Sequence, residues 1–185
     1  MIRDAGLRHK RYESETVDGY ILQLDRIVNK GVFNVVLFMH GELDSARMWV
    51  ANGQDRSAAY MAHRNGFDVF MGNFRGVSPR KLADWKQRSS ESYWNYKIDD
   101  LAKHDVSAFV KKILALKVNE IMILMQNYAV KRGSSIKRMG LTNSQLKNEI
   151  RAKIKLTFVG HSLGAVVLPI YLLHCKTNDL EHSVA

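Results

Sequence analysis

The sequence predicts an α/β fold, a mostly parallel sheet with helices on both faces, and three observations carry that expectation. The first is the unbroken apolar run FNVVLFMHG (33–41), which suits a strand buried on both faces of a parallel sheet. The second is the order of elements, in which strand-like and helix-like segments alternate after an initial hairpin. The third is composition: 185 residues, 46% hydrophobic, suffice for one core and exclude the polar profile of a disordered chain.

Tyr12 to Val17 and Tyr20 to Val28 flank Asp18-Gly19, a two-residue hairpin signal, and Tyr20, Leu22 and Leu24 alternate with more polar neighbours as a half-buried strand requires. After the buried run, Ser57 caps a short helix to Arg64, with Gly66 beyond its end, and the strand Asp68 to Gly72 follows. From Asp99 a longer helix places Ala102, Val106, Phe109, Val110 and Ile113 on one stripe, because residues three and four apart share a helix face. Ile154 to Val159 forms the next strand and Leu163 to Cys175 the next helix, with Pro169 inside it, where a proline bends the axis. Ligands of such sheets bind at the carboxyl ends of strands. The segments there are His40-Gly41-Glu42, Gly72 to Gly76 with Asn73 and Arg75, and Ser162.

Charge is uneven. Residues 111–155 hold 11 Lys or Arg against Glu120 and Glu149, supplying +9 of the formal +10. Such a stripe suits an anionic lipid surface, an acidic partner or nucleic acid. With no regular basic helix and no nucleic-acid motif evident, it reads first as a solvated insertion, and nucleic acid is not expected. The apolar runs are far shorter than the roughly 20 residues of a membrane span, and the N-terminus lacks the apolar core of a signal peptide. Cys175 is the only cysteine, so no intrachain disulfide is expected and a reducing compartment is the default.

Gly160-His161-Ser162-Leu163-Gly164 sits between an apolar strand and an apolar helix. That is the setting in which two glycines let a strained turn lift a serine oxygen above the sheet edge, beside a helix N-terminus that favours developing negative charge. With this motif, the stretches ETVDGYILQLDRIV, VVLFMHGELDSARMWVANG, GFDVFMGNFRG and SYWNYKIDDLAKHDV resemble the acid lipase family of α/β-hydrolases, which includes gastric and lysosomal lipases and plant relatives. The resemblance runs from about Arg11 to Lys117 and resumes from about Lys155 to Leu173. It implies a serine ester hydrolase of triacylglycerols or steryl esters, without metal or organic cofactor. Ser162 would be the nucleophile, with the backbone N–H groups of Leu163 and Glu42 as oxyanion hole, and family members are often secreted or lysosomal. Glu42 departs from the apolar residue usual there, and a carboxylate turned inward would repel the oxyanion.

The same resemblance sets the chain's limits. Residues 118–152 have no counterpart and form a basic insertion in a single, incomplete domain that would break off after the helix following Ser162. Serine hydrolases of this type take their acid and histidine after the nucleophile, but only 23 residues remain. Asp179 cannot return past the helix, whose 12 residues to His174 span about 18 Å, and His182 could span that distance only fully extended and across the packed helix. His161 points away from the tip of the turn, His40 holds the glycine turn, and His9, His63 and His104 read as surface residues. The expectation is a lipase-like protein with nucleophile and oxyanion elements but no base, inactive or weakly active. The alternative is a non-catalytic module that binds lipid or protein through the basic insertion.

Overall fold

A computed structural model describes residues 1–84, 90–131 and 142–177; Asp179 and His182 lie outside them. Strands β1 (His9–Glu15) and β2 (Ile21–Ile27) form the hairpin. Its loop is one residue longer than the Asp18-Gly19 signal implied: the Thr16 N–H donates to the Tyr20 carbonyl at 2.8 Å, and Gly19 takes φ +89°. A three-residue loop with glycine in the left-handed position achieves the same reversal. The Thr16 hydroxyl donates to Asp18 Oδ1 at 2.6 Å and accepts from the Tyr20 N–H at 2.8 Å, filling the inside of the loop.

β3 (Asn34–Met39), β4 (Asp68–Gly72) and β5 (Lys155–Gly160) are parallel neighbours in a five-stranded sheet of order β1-β2-β4-β3-β5. β2 is antiparallel to β1 and β4, so only β2 runs against the common direction. Successive side chains of a strand face opposite ways, and β3 uses both. Val35, Leu37 and Met39 enter one core with the helical segment 101–114 and the helix after β5; Val36 and Phe38 enter a second core with the 3₁₀ turn Ala46–Val50 and helix α1 (Ala58–Arg64). Helices therefore cover both faces, as the apolar runs required.

Short helices α2 (Ser90–Tyr93) and α3 (Ile98–Asp100) lead into a π-helical stretch, Leu101–Val106, and then α4 (Ser107–Lys131). The stripe Ala102, Val106, Phe109, Val110 and Ile113 is buried to 1% exposure or less. α4 runs on through residue 131, and α5 (Asn143–Lys153) packs back on it through Ile121, Met122, Leu146 and Ile150. The described part of the basic segment is thus two helices rather than a solvated loop. α5 starts in a capping box, with Thr142 Oγ1 accepting from the Gln145 N–H at 3.2 Å and Gln145 Oε1 accepting from the Thr142 N–H at 2.8 Å, which satisfies two otherwise orphaned donors.

One cation of that segment is a core residue. Lys117 is 0% exposed, its Nζ 2.6 Å from Asp68 and 2.9 Å from Glu120, while Arg26 donates to Asp68 Oδ1 at 2.8 Å and to Glu120 at 2.8 Å. Two cations and two carboxylates close on each other, the pairing that buried charge demands. They tie β2, β4 and α4 together at the amino end of β4. The chain then passes through β5 into α6 (Leu163–Thr177), which contains Pro169. No described helix is long and apolar enough to cross a membrane.

Candidate active site

The register aligns Met39 with both Gly72 and Gly160, so β3, β4 and β5 end at one level and the residues following them share one edge. At that edge the chain reverses from β5 into α6 within two residues. His161 donates its N–H to the Met39 carbonyl at 3.0 Å, Ser162 takes φ 50°, and α6 begins at Leu163. Ser162 is the only non-glycine residue with positive φ among the described residues, a conformation that costs an L-residue roughly 1–2 kcal/mol. It is also exposed.

Close packing, rather than backbone angle, explains the two glycines. A Cβ on Gly160 would lie 2.5 Å from the Gly164 carbonyl group, and one on Gly164 would lie 2.4 Å from the Met39 oxygen. The Gly164 N–H donates to His40 O at 3.1 Å and to His161 O at 2.9 Å. The first turn of α6 thus rests directly on the backbone end of β3, and this contact fixes the turn that carries Ser162.

The His40-Gly41 loop rests on the same turn. A Cβ on Gly41 would come within 3.2 Å of Ser162 Cβ and 3.1 Å of His161 Nδ1. His40, 1% exposed, meets the Gly41 carbonyl with Nδ1 at 2.6 Å and receives the Phe74 N–H on Nε2 at 3.1 Å. A carbonyl only accepts and an N–H only donates, so the ring is the neutral Nδ1–H tautomer with both nitrogens engaged. Burial lowers its pKa, the Gly41 hydrogen bond opposing. His40 therefore orients the loop and has no nitrogen left to take a proton.

Arg75 is likewise structural. Its guanidinium pairs with Asp105 at 2.7 Å and Asp18 at 2.7 Å and lies 3.8 Å from the Tyr20 ring centre, joining the π-helical stretch to the hairpin loop. Asn73 Oδ1 accepts from the Ala46 N–H at 2.9 Å. These two residues shape the edge without facing the serine's chemistry.

Beside the turn lies a cleft of about 600 Å³ whose walls include His40, Glu42, Phe74, Leu101 and Leu163. Neither the Leu163 nor the Glu42 N–H donates to any described group. Glu42 is exposed, so its carboxylate has water available and need not turn inward. Three exposed apolar residues, Leu43 at 101%, Trp94 at 50% and Ile98 at 49%, also line the cleft.

Five of the described histidines are engaged away from Ser162, and the sixth, His161, is exposed beside it with Nδ1 against Gly41 but makes no hydrogen bond to it. His9 is 2.7 Å from Asp25, His63 is 3.3 Å from the Val28 carbonyl and His104 is 3.9 Å from Asp100; all three are half-buried rather than on the open surface. Sequence reasoning overlooked His174, whose Nε2 is 2.7 Å from Asp99. This histidine–carboxylate pair has the composition of a base dyad but lies about 18 Å from Ser162 along α6. Nothing in the sequence linked two residues 75 positions apart.

A family model described as the partial alpha/beta-hydrolase lipase region matches residues 1–53. The chain is 33% identical to a tear acid lipase-like protein of Mesocricetus auratus over 161 residues, covering 83% of this chain and 39% of that protein. It is 34% identical to human gastric triacylglycerol lipase (62% of this chain, 30% of that protein). Against human lysosomal acid lipase/cholesteryl ester hydrolase it is 35% identical (59% and 29%). It therefore spans well under half the length of these curated relatives. Among solved structures, the Pyrococcus furiosus esterase Pf2001 superposes with a TM-score of 0.54 at 18% identity, over 93% of this chain and 48% of that one, a likeness of fold.

Proposed function

We propose that this chain, which has an α/β-hydrolase fold and resembles the acid lipases in sequence, carries the nucleophile half of a lipid-ester hydrolase, with Ser162 as nucleophile. The observation that carries this reading is the exposed Ser162 at φ 50° on the β5–α6 turn, next in the chain to Leu163, which lines a cleft. In the reaction, Ser162 Oγ bonds to the ester carbonyl carbon while the carbonyl π electrons move to oxygen. The oxyanion is held by the Leu163 and Glu42 N–H groups and favoured by the amino end of the 15-residue α6. The intermediate collapses to an acyl-serine and expels the alcohol, and water then releases the acid. The apolar rim of Leu43, Trp94 and Ile98 supports a neutral lipid ester, triacylglycerol or steryl ester, as the substrate class.

The serine proton needs an acceptor, and no described histidine is hydrogen-bonded to Ser162; in this reading His161, its neighbour in the chain, does not serve as the base. The proposal for these 185 residues is therefore weak turnover of activated short-chain esters and none of long-chain triacylglycerol. Losing one member of a serine triad typically leaves about 10³–10⁴-fold catalysis over water through oxyanion hole and binding. The test is labelling by a fluorophosphonate probe together with p-nitrophenyl acetate hydrolysis. Slow labelling that disappears in Ser162→Ala is expected. Labelling that persists in Ser162→Ala would remove the serine from its role, and ordinary lipase rates on long-chain lipid would overturn the missing base.

A further inference from the structure

We propose that the groove between α4 and α5 is a docking site for an acidic peptide segment of another protein. The groove is a cavity of about 680 Å³ whose walls include Lys111, Lys112, Leu116 and Val118 on α4 and Lys147 and Arg151 on α5. Among the described residues no carboxylate lines it. The nearest acid in sequence, Glu120, is already engaged by Lys117 and Arg26. Glu149 is two residues past Lys147, about 200° around α5, and so faces away from the groove. The three lysines over an apolar floor match a segment that alternates carboxylates with apolar side chains.

Shape and position favour a peptide over a membrane. Lys111 and Lys147 are exposed, but Lys112 is half-buried, so a flat bilayer meets the first two and leaves the third unused, whereas an inserted segment reaches all three. The groove also lies at the wrong end of the sheet for a membrane that supplies substrate. Lys117 contacts Asp68, the first residue of β4, and α5 leads into the first residue of β5. Ser162 follows the other end of β5, about 20 Å away at 3.3 Å per residue. A bilayer held by the groove would turn the rim of Leu43, Trp94 and Ile98 away from itself. That preference rests on the proposed reading of the mouth; the charge and shape of the groove do not.

The test uses the 185-residue chain and a short fluorescent peptide of alternating Glu and Leu, with a Gln-for-Glu peptide as control, followed by anisotropy at rising salt. Salt-sensitive binding of the acidic peptide alone is expected, weakened about tenfold by Lys111→Gln/Lys147→Gln. Lys10→Gln/Lys176→Gln, which removes the same charge elsewhere, is expected to bind as the unmodified chain does. A photo-crosslinking version of the peptide on the unmodified chain is expected to mark residues 111–119 or 147–151, whatever the variants' stability. The proposal is overturned by no binding, by equal loss in both double variants, by crosslinks elsewhere, or by equal binding of the Gln peptide. It is also overturned if phosphatidylserine vesicles or single-stranded RNA bind through Lys111 and Lys147 in preference to the peptide. Fluorophosphonate labelling of Ser162, measured in parallel, is expected to be unchanged in Lys111→Gln/Lys147→Gln, so failure of the groove and failure of the nucleophile are read separately.

Discussion

Gly164→Ala sets two effects of opposite sign against each other. Gly164 is the second residue of α6, and in an ordinary helix replacing glycine by alanine gains up to about 1 kcal/mol. Here the new Cβ would lie 2.4 Å from Met39 O, 2.8 Å from Met39 C and 3.0 Å from His40 O. All three are backbone atoms of β3 and its following loop, so no rotamer change relieves the contact. α6 must retreat by about 1 Å to restore ordinary spacing, which weakens the hydrogen bond from Gly164 to His40. Overpacking costs about 1–3 kcal/mol and the hydrogen bond about 1 kcal/mol. The balance is a destabilisation of about 1–3 kcal/mol. In urea, with a slope of about 1–3 kcal/mol per molar, the midpoint falls by about 1 M, followed by tryptophan fluorescence and circular dichroism together. Ala165→Gly in the same turn, at an exposed position, is expected to lose only the helix preference, about 1 kcal/mol. If Gly164→Ala were as stable as the parent or more so, α6 would not rest on the end of β3 and the account of the turn would fail.

Two further outcomes follow from the same edge. Ser162→Gly removes the Cβ that makes φ 50° costly and is expected to stabilise the chain, read as a higher urea midpoint, by about 0.5–1 kcal/mol after the greater freedom of glycine in the unfolded chain is counted; Ser162→Ala keeps the strain and is expected to show no gain. His40 has a folded pKa below its ordinary 6.5, so the unfolded chain binds the proton more readily. Its contribution is complete above about pH 6.5 and is lost as pH falls through the lowered folded value. The fall in Tm between pH 8 and 5 is expected to be shallower in His40→Gln than in the parent, and parallel slopes would contradict the buried neutral ring. Asp105, which burial pushes up to about 6 against the pull of Arg75, titrates in the opposite sense in both proteins and cancels in that comparison.

Segments with one dominant signal were legible from sequence. The strand at 68–72 is legible to the residue, because the run Val69 to Gly72 after Asp68, bounded by Gly66 and Asn73, admits little else. The turn at 160–164 was legible because its glycines carry the packing requirement in their own identity. Charge misled the reading of residues 118–152. Ile121, Met122 and Met125, Leu146 and Ile150, and the Thr142–Gln145 capping box are ordinary helix signals, yet the eleven cations of residues 111–155 made the stretch look solvated. Lys117 shows why such a count fails. Its partner Asp68 is 49 residues away, and a buried pair of that separation leaves no local pattern. His40 is a milder case: a role in the glycine turn was expected from position, but its tautomer depends on the Phe74 N–H delivered by the next strand of the sheet.

β5 hydrogen-bonds to β3 and, among the described residues, to no other strand. A strand held by one ladder opens at lower free energy than one held by two, so the serine's placement is the least anchored feature of an otherwise tightly tied edge. Amide exchange along 155–160 would accordingly run ahead of exchange in β3 and β4, and each opening would carry Ser162 out of register with the Leu163 and Glu42 N–H groups. Any backbone that paired with the outer side of β5 would slow that motion. It would sharpen the nucleophile's position without touching the cleft, making the sheet's margin a lever on the chemistry at its end.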